Sequence, residues 1–529
     1  MKPQLLLTPP SIIFVFHSHL PYLNQSTIPL PSVEETWFYE AVIESYIPLI
    51  FSFKRLKDKG IPFKLVLSLS PTLLDMLENQ DMQRGLKGHL ERLKDLVEFE
   101  ERRLKGSPFE EIIRFYRERF EEIGDFLQRV GIMNALKEFS ETGNIKLITT
   151  TATHAYLPLF SQYPWVVELQ IRVGIEIFKR HIWWLNNTGG FWLPECGYFR
   201  GLFKYLKSYH IEWTVLEGHS IAFGTPRSRY GVFRPVRTPE GIFVFPRDSS
   251  TCELVWSRER GYPGNLWYRD FYRDACYELK DSEWKRFRPD GIRHHTGLKY
   301  WRITGRERKA PYIRQRALKQ VEVDARHFVD FLKKRAIMAK GFTHNPVIVV
   351  AFDTELFGHW WFEGPEWLEK VFELLSSATE VALSFPEDIL NQVSTVTELA
   401  SFELVDPLPS SWGEGGFSDT WISKKSSFYL RSIYRAIELA SSYLRQPLPS
   451  IYSFSESAET RLDKELIKEL LLLQSSDFLF MINKDSGSRI YGEERLKRHL
   501  KRIGQIIGVI QRSRGISDFK ENFSIDSDF

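Results

Sequence analysis

Val347-Ile348-Val349-Val350-Ala351-Phe352-Asp353-Thr354-Glu355-Leu356-Phe357-Gly358-His359-Trp360-Trp361-Phe362-Glu363-Gly364 is the stretch on which the fold turns. Its first six residues are all apolar and mostly β-branched. Such a run has no polar face, which is the pattern of a strand covered on both sides, as in a parallel sheet. It ends on a carboxylate, Asp353. Runs of the same kind occupy 12–16, 63–69, 145–150, 191–193 and 213–216, and several of them also stop at polar or histidine-bearing turns. Between them, as at 37–59 and 167–181, apolar residues recur at intervals of three and four, the period of a helix lying on a core. The alternation predicts an α/β fold, either a βα barrel or an open parallel sheet. In both architectures function gathers at the carboxyl ends of the strands. His17, His19, His154, Glu195 and Asp353 all fall there.

The 529 residues allow two or three structural units, or one large barrel with additions. With 43% hydrophobic and 26% charged residues the composition is that of a folded globular protein rather than a disordered one. No apolar run approaches the roughly 18 residues of a bilayer span. A net charge of +3 is too small for this length to predict a nucleic-acid or membrane partner. Aromatics reach 14%, with 40 Phe, 21 Tyr and 15 Trp. Most of these must be core, but the bias also fits a carbohydrate groove, because the flat C–H faces of sugars stack on aromatic rings. Cys196, Cys252 and Cys276 are too few and too scattered for a disulfide framework or a zinc knuckle. A reducing compartment therefore fits, and with no long apolar leader running from Lys2 to a small-residue cleavage site a cytoplasmic setting is expected.

Two stretches break the strand-helix alternation. Residues 79–141 are charge-rich with helical period and predict an inserted helical hairpin. Residues 223–311, rich in Pro, Gly and Arg, predict long loops over the catalytic face. A Pro, Ser and Gly-rich segment at 407–416 then precedes helical periods at 426–444, 464–473 and 495–510. The expected division is a catalytic βα barrel over 1–405 and an all-α C-terminal domain over 406–529, frayed from 515 onward.

Glu195 lies in Phe191-Trp192-Leu193-Pro194-Glu195-Cys196-Gly197-Tyr198, with no adjacent cation. A carboxylate in an apolar setting is costly unless it is paired, hydrogen-bonded or used in chemistry. Two of them, Glu195 and Asp353, are the residue types for acid/base or nucleophilic work on a sugar. Of Asp353 and Glu355, only one is expected to point into the site. His359, Trp360 and Trp361 read either as a wall beside a sugar or as core. His17 and His19, in Val15-Phe16-His17-Ser18-His19-Leu20-Pro21-Tyr22, have three readings: a metal pair, rings tied to the backbone, or ligands of sugar hydroxyls. His154, in Thr153-His154-Ala155-Tyr156-Leu157-Pro158, joins the same region.

These segments, together with Ser411-Trp412-Gly413-Glu414-Gly415-Gly416, resemble glycoside hydrolase family 57, in the branch of α-glucan branching enzymes and α-amylase-like proteins. The resemblance implies a (β/α)7 barrel followed by a helical domain, with neither metal nor cofactor. It implies Glu195 as nucleophile and Asp353 as general acid/base. Arg247, Gly264, Trp412 and Asp477 are implied as substrate contacts, and Trp256 and Trp421 as further aromatic positions of the groove. The histidine readings move toward sugar binding, with His359 and Trp360 beside them. The expected substrate is an α-1,4-glucan, and the expected reaction is transfer to form α-1,6 branches. The short span between Trp213 and Arg247 leaves little room for a long covering loop, so a substantial hydrolytic share is expected too. The alternatives are an α-amylase-type retaining hydrolase, a metal-dependent carbohydrate deacetylase using His17, His19 and a carboxylate, and a non-catalytic glucan-binding protein.

Overall fold

A computed structural model describes residues 9–514 except 24–33, 186–187, 258–259, 289–290, 306–308, 392–401, 447, 449, 451–457 and 485–486. The terminal stretch expected to fray lies outside the described residues. With two short strands, Val236–Arg237 and Ala382–Leu383, paired beside it, the main path of the central sheet has six strands: β1 (Ser11–Ser18), β2 (Leu65–Leu69), β3 (Ile145–Thr149), β4 (Trp213–Glu217), β5 (Phe243–Arg247) and β6 (Val347–Asp353). They run in the order β3-β2-β1-β6-β5-β4, and every neighbouring pair is parallel. A seventh segment closes the ring. Thr149 bridges Phe191 and Gly190 bridges Trp213, both in parallel, through Trp192 N–H to Thr149 O at 2.8 Å and Phe191 N–H to Trp213 O at 3.1 Å. The barrel therefore has seven parallel members around it.

β5 lies inside the stretch expected to be loops, and that expectation is corrected. Its sequence, Phe243-Val244-Phe245-Pro246-Arg247, carries a proline, which removes a ladder donor and argues against a central strand. Pro246 nevertheless sits in register with Leu216 of β4. On its other side β5 meets β6 only where Arg247 faces Val349.

Each strand divides its residues between two cores. Ile13, Val15, Val66, Ile148, Trp192, Trp213, Val215, Phe245, Val349 and Ala351 fill the interior of the ring. Their sequence neighbours Phe14, Phe16, Leu65, Leu67, Val350 and Phe352 pack outward against helices. The helical run from Glu35 to Asp58 contains a π-helical turn at Ala41–Tyr46. Helices Gln80–Arg103 and Glu110–Arg129 occupy the charge-rich stretch. Toward the C-terminus, Ser427–Tyr443, Ala458–Leu473, Ser476–Asn483 and Arg489–Ser513 are helical. Leu470, Leu479, Ile503 and Ile507 from these helices share a core with Val167 and Ile171 of helix Pro164–His181. The C-terminal helices are thereby fastened to one flank of the barrel.

Candidate active site

The site follows from strand parity. Side chains two apart on a strand share a face, so the inward series Ile13-Val15 continues to His17, Val66 to Ser68, Val215 to Glu217, Phe245 to Arg247, and Val349-Ala351 to Asp353. Five of the six strands thus contribute apolar residues to the barrel interior and one polar residue to its carboxyl end. This polar layer is the floor of the site.

Asp353 is the last residue of β6, opposite His17 in register. Its side chain has no hydrogen-bonded partner among the described residues. Burial, reinforced by the negative charge of Glu355 and opposed by Arg247, lifts its pKa to about 8. Arg247 is held by Glu217 Oε2 at 2.9 Å and by the carbonyl of Ala351 at 3.0 Å, and its guanidinium lies over Trp412.

Glu195 arrives from the turn that follows the seventh segment. Its backbone is left-handed, with φ 62° and ψ 20°, a conformation that costs a non-glycine residue about 1–3 kcal/mol unless its surroundings impose it. They do so here. Cys196 N–H reaches Leu193 O, Gly197 N–H reaches Pro194 O, and Trp412 N–H reaches the Glu195 carbonyl, each at 2.9 Å. The indole N–H of Trp412 then donates to Glu195 Oε2 at 2.7 Å, and Ser476 Oγ donates to Oε1 at 3.2 Å. Burial pushes the Glu195 pKa up to about 7; the Trp412 bond opposes this, while the charges of Asp353 and Asp477 add to it. The two carboxyl groups therefore sense each other.

Beside Glu195 the imidazoles form a stacked array. His17 lies against Trp192 at 5.2 Å and against His154 at 4.9 Å, and His154 lies against His19 at 3.8 Å. His17 Nδ1 pairs with Ser68 Oγ at 3.1 Å and its Nε2 with His154 Nε2 at 2.8 Å, while His154 Nδ1 pairs with Ser476 Oγ at 2.9 Å. His19 Nε2 meets Asp477 Oδ2 at 3.0 Å. Burial, helped by neighbouring imidazoles, lowers the pKa of His17 and His154, so both are neutral hydrogen-bonding groups at pH 7. For Asp477 burial raises the pKa, but the His19 charge and hydrogen bond outweigh it and hold the pKa at about 2. His19, His154 and Asp477 bring ligand atoms within 4.8 Å of one another. Each of these nitrogens already faces a hydroxyl, a carboxylate or another imidazole, so a cation would have to displace that network.

His17, His19, His154, Glu195, Arg247, Asp353, Trp412 and Asp477 are thus drawn together, and other expected residues are not. Trp421 is 1% exposed and stacks on Tyr156 at 4.1 Å, so it braces the wall from behind rather than offering a face to a sugar. Trp256 ends helix Ser249–Trp256 with 54% of its surface exposed, and Gly264 sits in the 3-10 turn Tyr262–Gly264. Neither has a contact to the two carboxyls. His359 is engaged elsewhere, with Nδ1 on Glu44 Oε2 at 2.9 Å, and Trp360 is 51% exposed and stacked on Phe271 at 4.4 Å. Sequence reading missed Ser68, Glu217 and Ser476. Ser476 had a signal, since Ser475-Ser476-Asp477 precedes the apolar start of a helix in the manner of a cap. Glu355 lies in the 3-10 turn Thr354–Leu356, where strand alternation no longer applies, and its carboxylate accepts from the His19 N–H and the Tyr46 hydroxyl.

Residues 13–400 match glycosyl hydrolase family 57, and residues 435–521 match the 1,4-α-glucan branching enzyme C-terminal family. The chain belongs to glycosyl hydrolase family 57. Within it, the two matched regions together are those of its branching enzymes. The 1,4-α-glucan branching enzyme of Thermococcus kodakarensis is 29% identical, aligned over 96% of this chain and 75% of its own length. Among solved structures, the α-amylase of Thermotoga maritima superposes with a TM-score of 0.83 at 35% identity, covering 97% of this chain and 95% of its own. The GH57-type branching enzyme of Pyrococcus horikoshii gives 0.83 at 28% identity, over 97% and 92%. The α/β barrel with a C-terminal helical region is the fold they share with this chain.

Proposed function

We propose that the protein cleaves α-1,4-glucan by double displacement and transfers the released segment to a 6-hydroxyl, forming an α-1,6 branch. Glu195 attacks the anomeric carbon and becomes glycosylated, while Asp353 gives its proton to the departing glycosidic oxygen. In the second half-reaction Asp353 takes the proton of the acceptor hydroxyl, and the ester bond to Glu195 breaks as the new glycosidic bond forms. The observation that carries this reading is the unequal treatment of two coupled carboxyls. Glu195 receives hydrogen bonds that favour its anion, whereas Asp353 has none and sits near a second negative charge. A nucleophile and an acid need that difference.

His17, His19, His154 and Asp477 form the polar wall for the hydroxyls of the sugar at the cleavage point, and Trp412 and Arg247 line its other side. Water competes with the acceptor for the adduct. Only residues 223–235 separate helix Gly218–Ala222 from the short strand Val236–Arg237, which supports a hydrolytic share beside transfer. Three buried, unpaired cysteines fit a cytoplasmic enzyme of storage-glucan synthesis, and no helix among the described residues is long and apolar enough to cross a membrane. Product analysis on amylose tests the proposal: α-1,6 linkages are expected to outnumber new reducing ends. Reducing ends rising with no α-1,6 linkage would establish a hydrolase instead.

A further inference from the structure

We propose that Glu355 is a positioning residue for the acid/base step, its carboxylate being fixed beside Asp353 so as to make Asp353 hold its proton. Glu355 is 9% exposed. Its Oε1 accepts two hydrogen bonds, from the backbone N–H of His19 at 3.1 Å and from the hydroxyl of Tyr46. Neither donor carries a charge, so the anion is held in place without being neutralised. Its field then falls on the acid two residues earlier in the chain.

The surrounding structure keeps it there. Tyr46 is the last residue of the π-helical turn Ala41–Tyr46, and such turns project residues that a regular helix would direct elsewhere. The preceding residue of that turn, Ser45, donates from Oγ to Thr354 O at 2.9 Å, and Ser18 Oγ pairs with Thr354 Oγ1 at 2.7 Å. Gly358 lets the returning chain lie against the same turn: a Cβ there would stand 1.9 Å from the Glu44 carbonyl oxygen. The segment bearing Asp353 and Glu355 is therefore clamped from β1 and from the π-turn.

The charged and titratable groups around the pair are few. Arg247 and Glu195 face Asp353, Tyr46 and the His19 peptide face Glu355, and the His19 ring is turned to Asp477. Burial and the Glu355 charge keep Tyr46 un-ionised and so a donor. Burial raises the Glu355 pKa to about 7, and the hydrogen bonds from Tyr46 and the His19 peptide favour the anion against it, so Glu355 carries its charge on the alkaline limb, where Asp353 gives up its proton. Tyr46 and Cys196 also lie near Asp353 but stay un-ionised, and among the described residues Glu355 is the charge that raises the Asp353 pKa while Arg247 lowers it.

The proposal rests on Asp353 being the acid/base, and the experiment separates the two. Glu355→Gln keeps an oxygen acceptor for both donors and removes the charge. The alkaline limb of kcat/KM for amylose cleavage is expected to move down by about one pH unit, the lower end of the shift a close like charge produces. On the alkaline side this appears as a roughly tenfold deficit that closes toward the acid side. Tyr46→Phe, which weakens the Glu355 anion, is expected to move the same limb in the same direction by less, and it carries the test if Glu355→Gln does not fold. An unmoved alkaline limb with a rate lowered equally at every pH would overturn the proposal and leave Glu355 a structural clamp. Asp353→Asn is assayed alongside: retained amylose cleavage would overturn the acid/base reading itself. Its loss combined with an unmoved limb in Glu355→Gln would overturn only the role of Glu355.

Discussion

Replacing Trp412 by Phe isolates a single hydrogen bond to the nucleophile. The phenyl ring keeps an aromatic surface toward Trp192, whose ring centroid lies 5.1 Å from that of Trp412, and toward Arg247 at 5.6 Å. What disappears is the indole N–H that donates to Glu195 Oε2 at 2.7 Å. A hydrogen bond to an ionised group contributes about 2 kcal/mol, and about 1.4 kcal/mol corresponds to one pKa unit. The Glu195 pKa, about 7 in the intact site, is therefore expected to rise by about 1.5 units. At pH 7 the attacking anion falls from roughly half of the enzyme to about 3%, a drop in kcat/KM of about fifteenfold. Raising the pH does not restore the rate, because Asp353 loses its proton from about pH 8. The acid limb climbs past the alkaline one, and the bell becomes low and narrow. The assay is the initial rate of amylose cleavage across roughly pH 5–9.5, read with the limbs treated as properties of the coupled pair. An acid limb left in place, with activity reduced uniformly or unchanged, would refute the assignment of Trp412 as the group that keeps Glu195 ionised.

Asp353→Asn removes activity and adds stability at high pH. The folded pKa of Asp353, about 8, lies above its ordinary 3.8, so the folded state holds the proton more tightly and stability drains away as pH rises from about 4 to about 8. The variant is expected to melt several degrees above the parent at pH 9 and near it at pH 4; equal shifts at both would show that the buried charge is not the cause. Gly358→Ala places a methyl 1.9 Å from the Glu44 carbonyl oxygen at φ +106°. It is expected to cost about 2 kcal/mol or more in denaturant unfolding and at least tenfold in kcat; parent-like values in both would refute the clamp around Asp353.

Much of the fold was readable because buried parallel strands announce themselves as unbroken apolar runs. The stretches that became β1, β2, β3, β4 and β6 were legible on that ground, as was the 191–193 segment that closes the ring. β5 was not, since Pro246 is a local signal against a central strand, and only the partners Leu216 and Val349 explain why it is tolerated. Glu195 and Asp353 stood out as carboxylates in apolar company, a feature of sequence. Of the partners of Glu195, Trp412 was legible only through the family resemblance, and Ser476 was not, because it is distant in the chain and arrives through docking of the C-terminal helices. The orientation of Glu355 depended on where the strand stopped. Trp421 shows the limit of residue type as evidence: an indole suits a sugar face and a core equally well, and its packing on Tyr156 decided for the core.

The carbonyl and carboxylate of Glu195 are tied to Trp412, and the histidine array is tied to Ser476 and Asp477. For a chain made from its N-terminus, this means that both carboxylates and the whole barrel emerge while the nucleophile still lacks its two hydrogen-bond donors. Competence therefore waits until the helix beginning at Ser476 seats against the barrel.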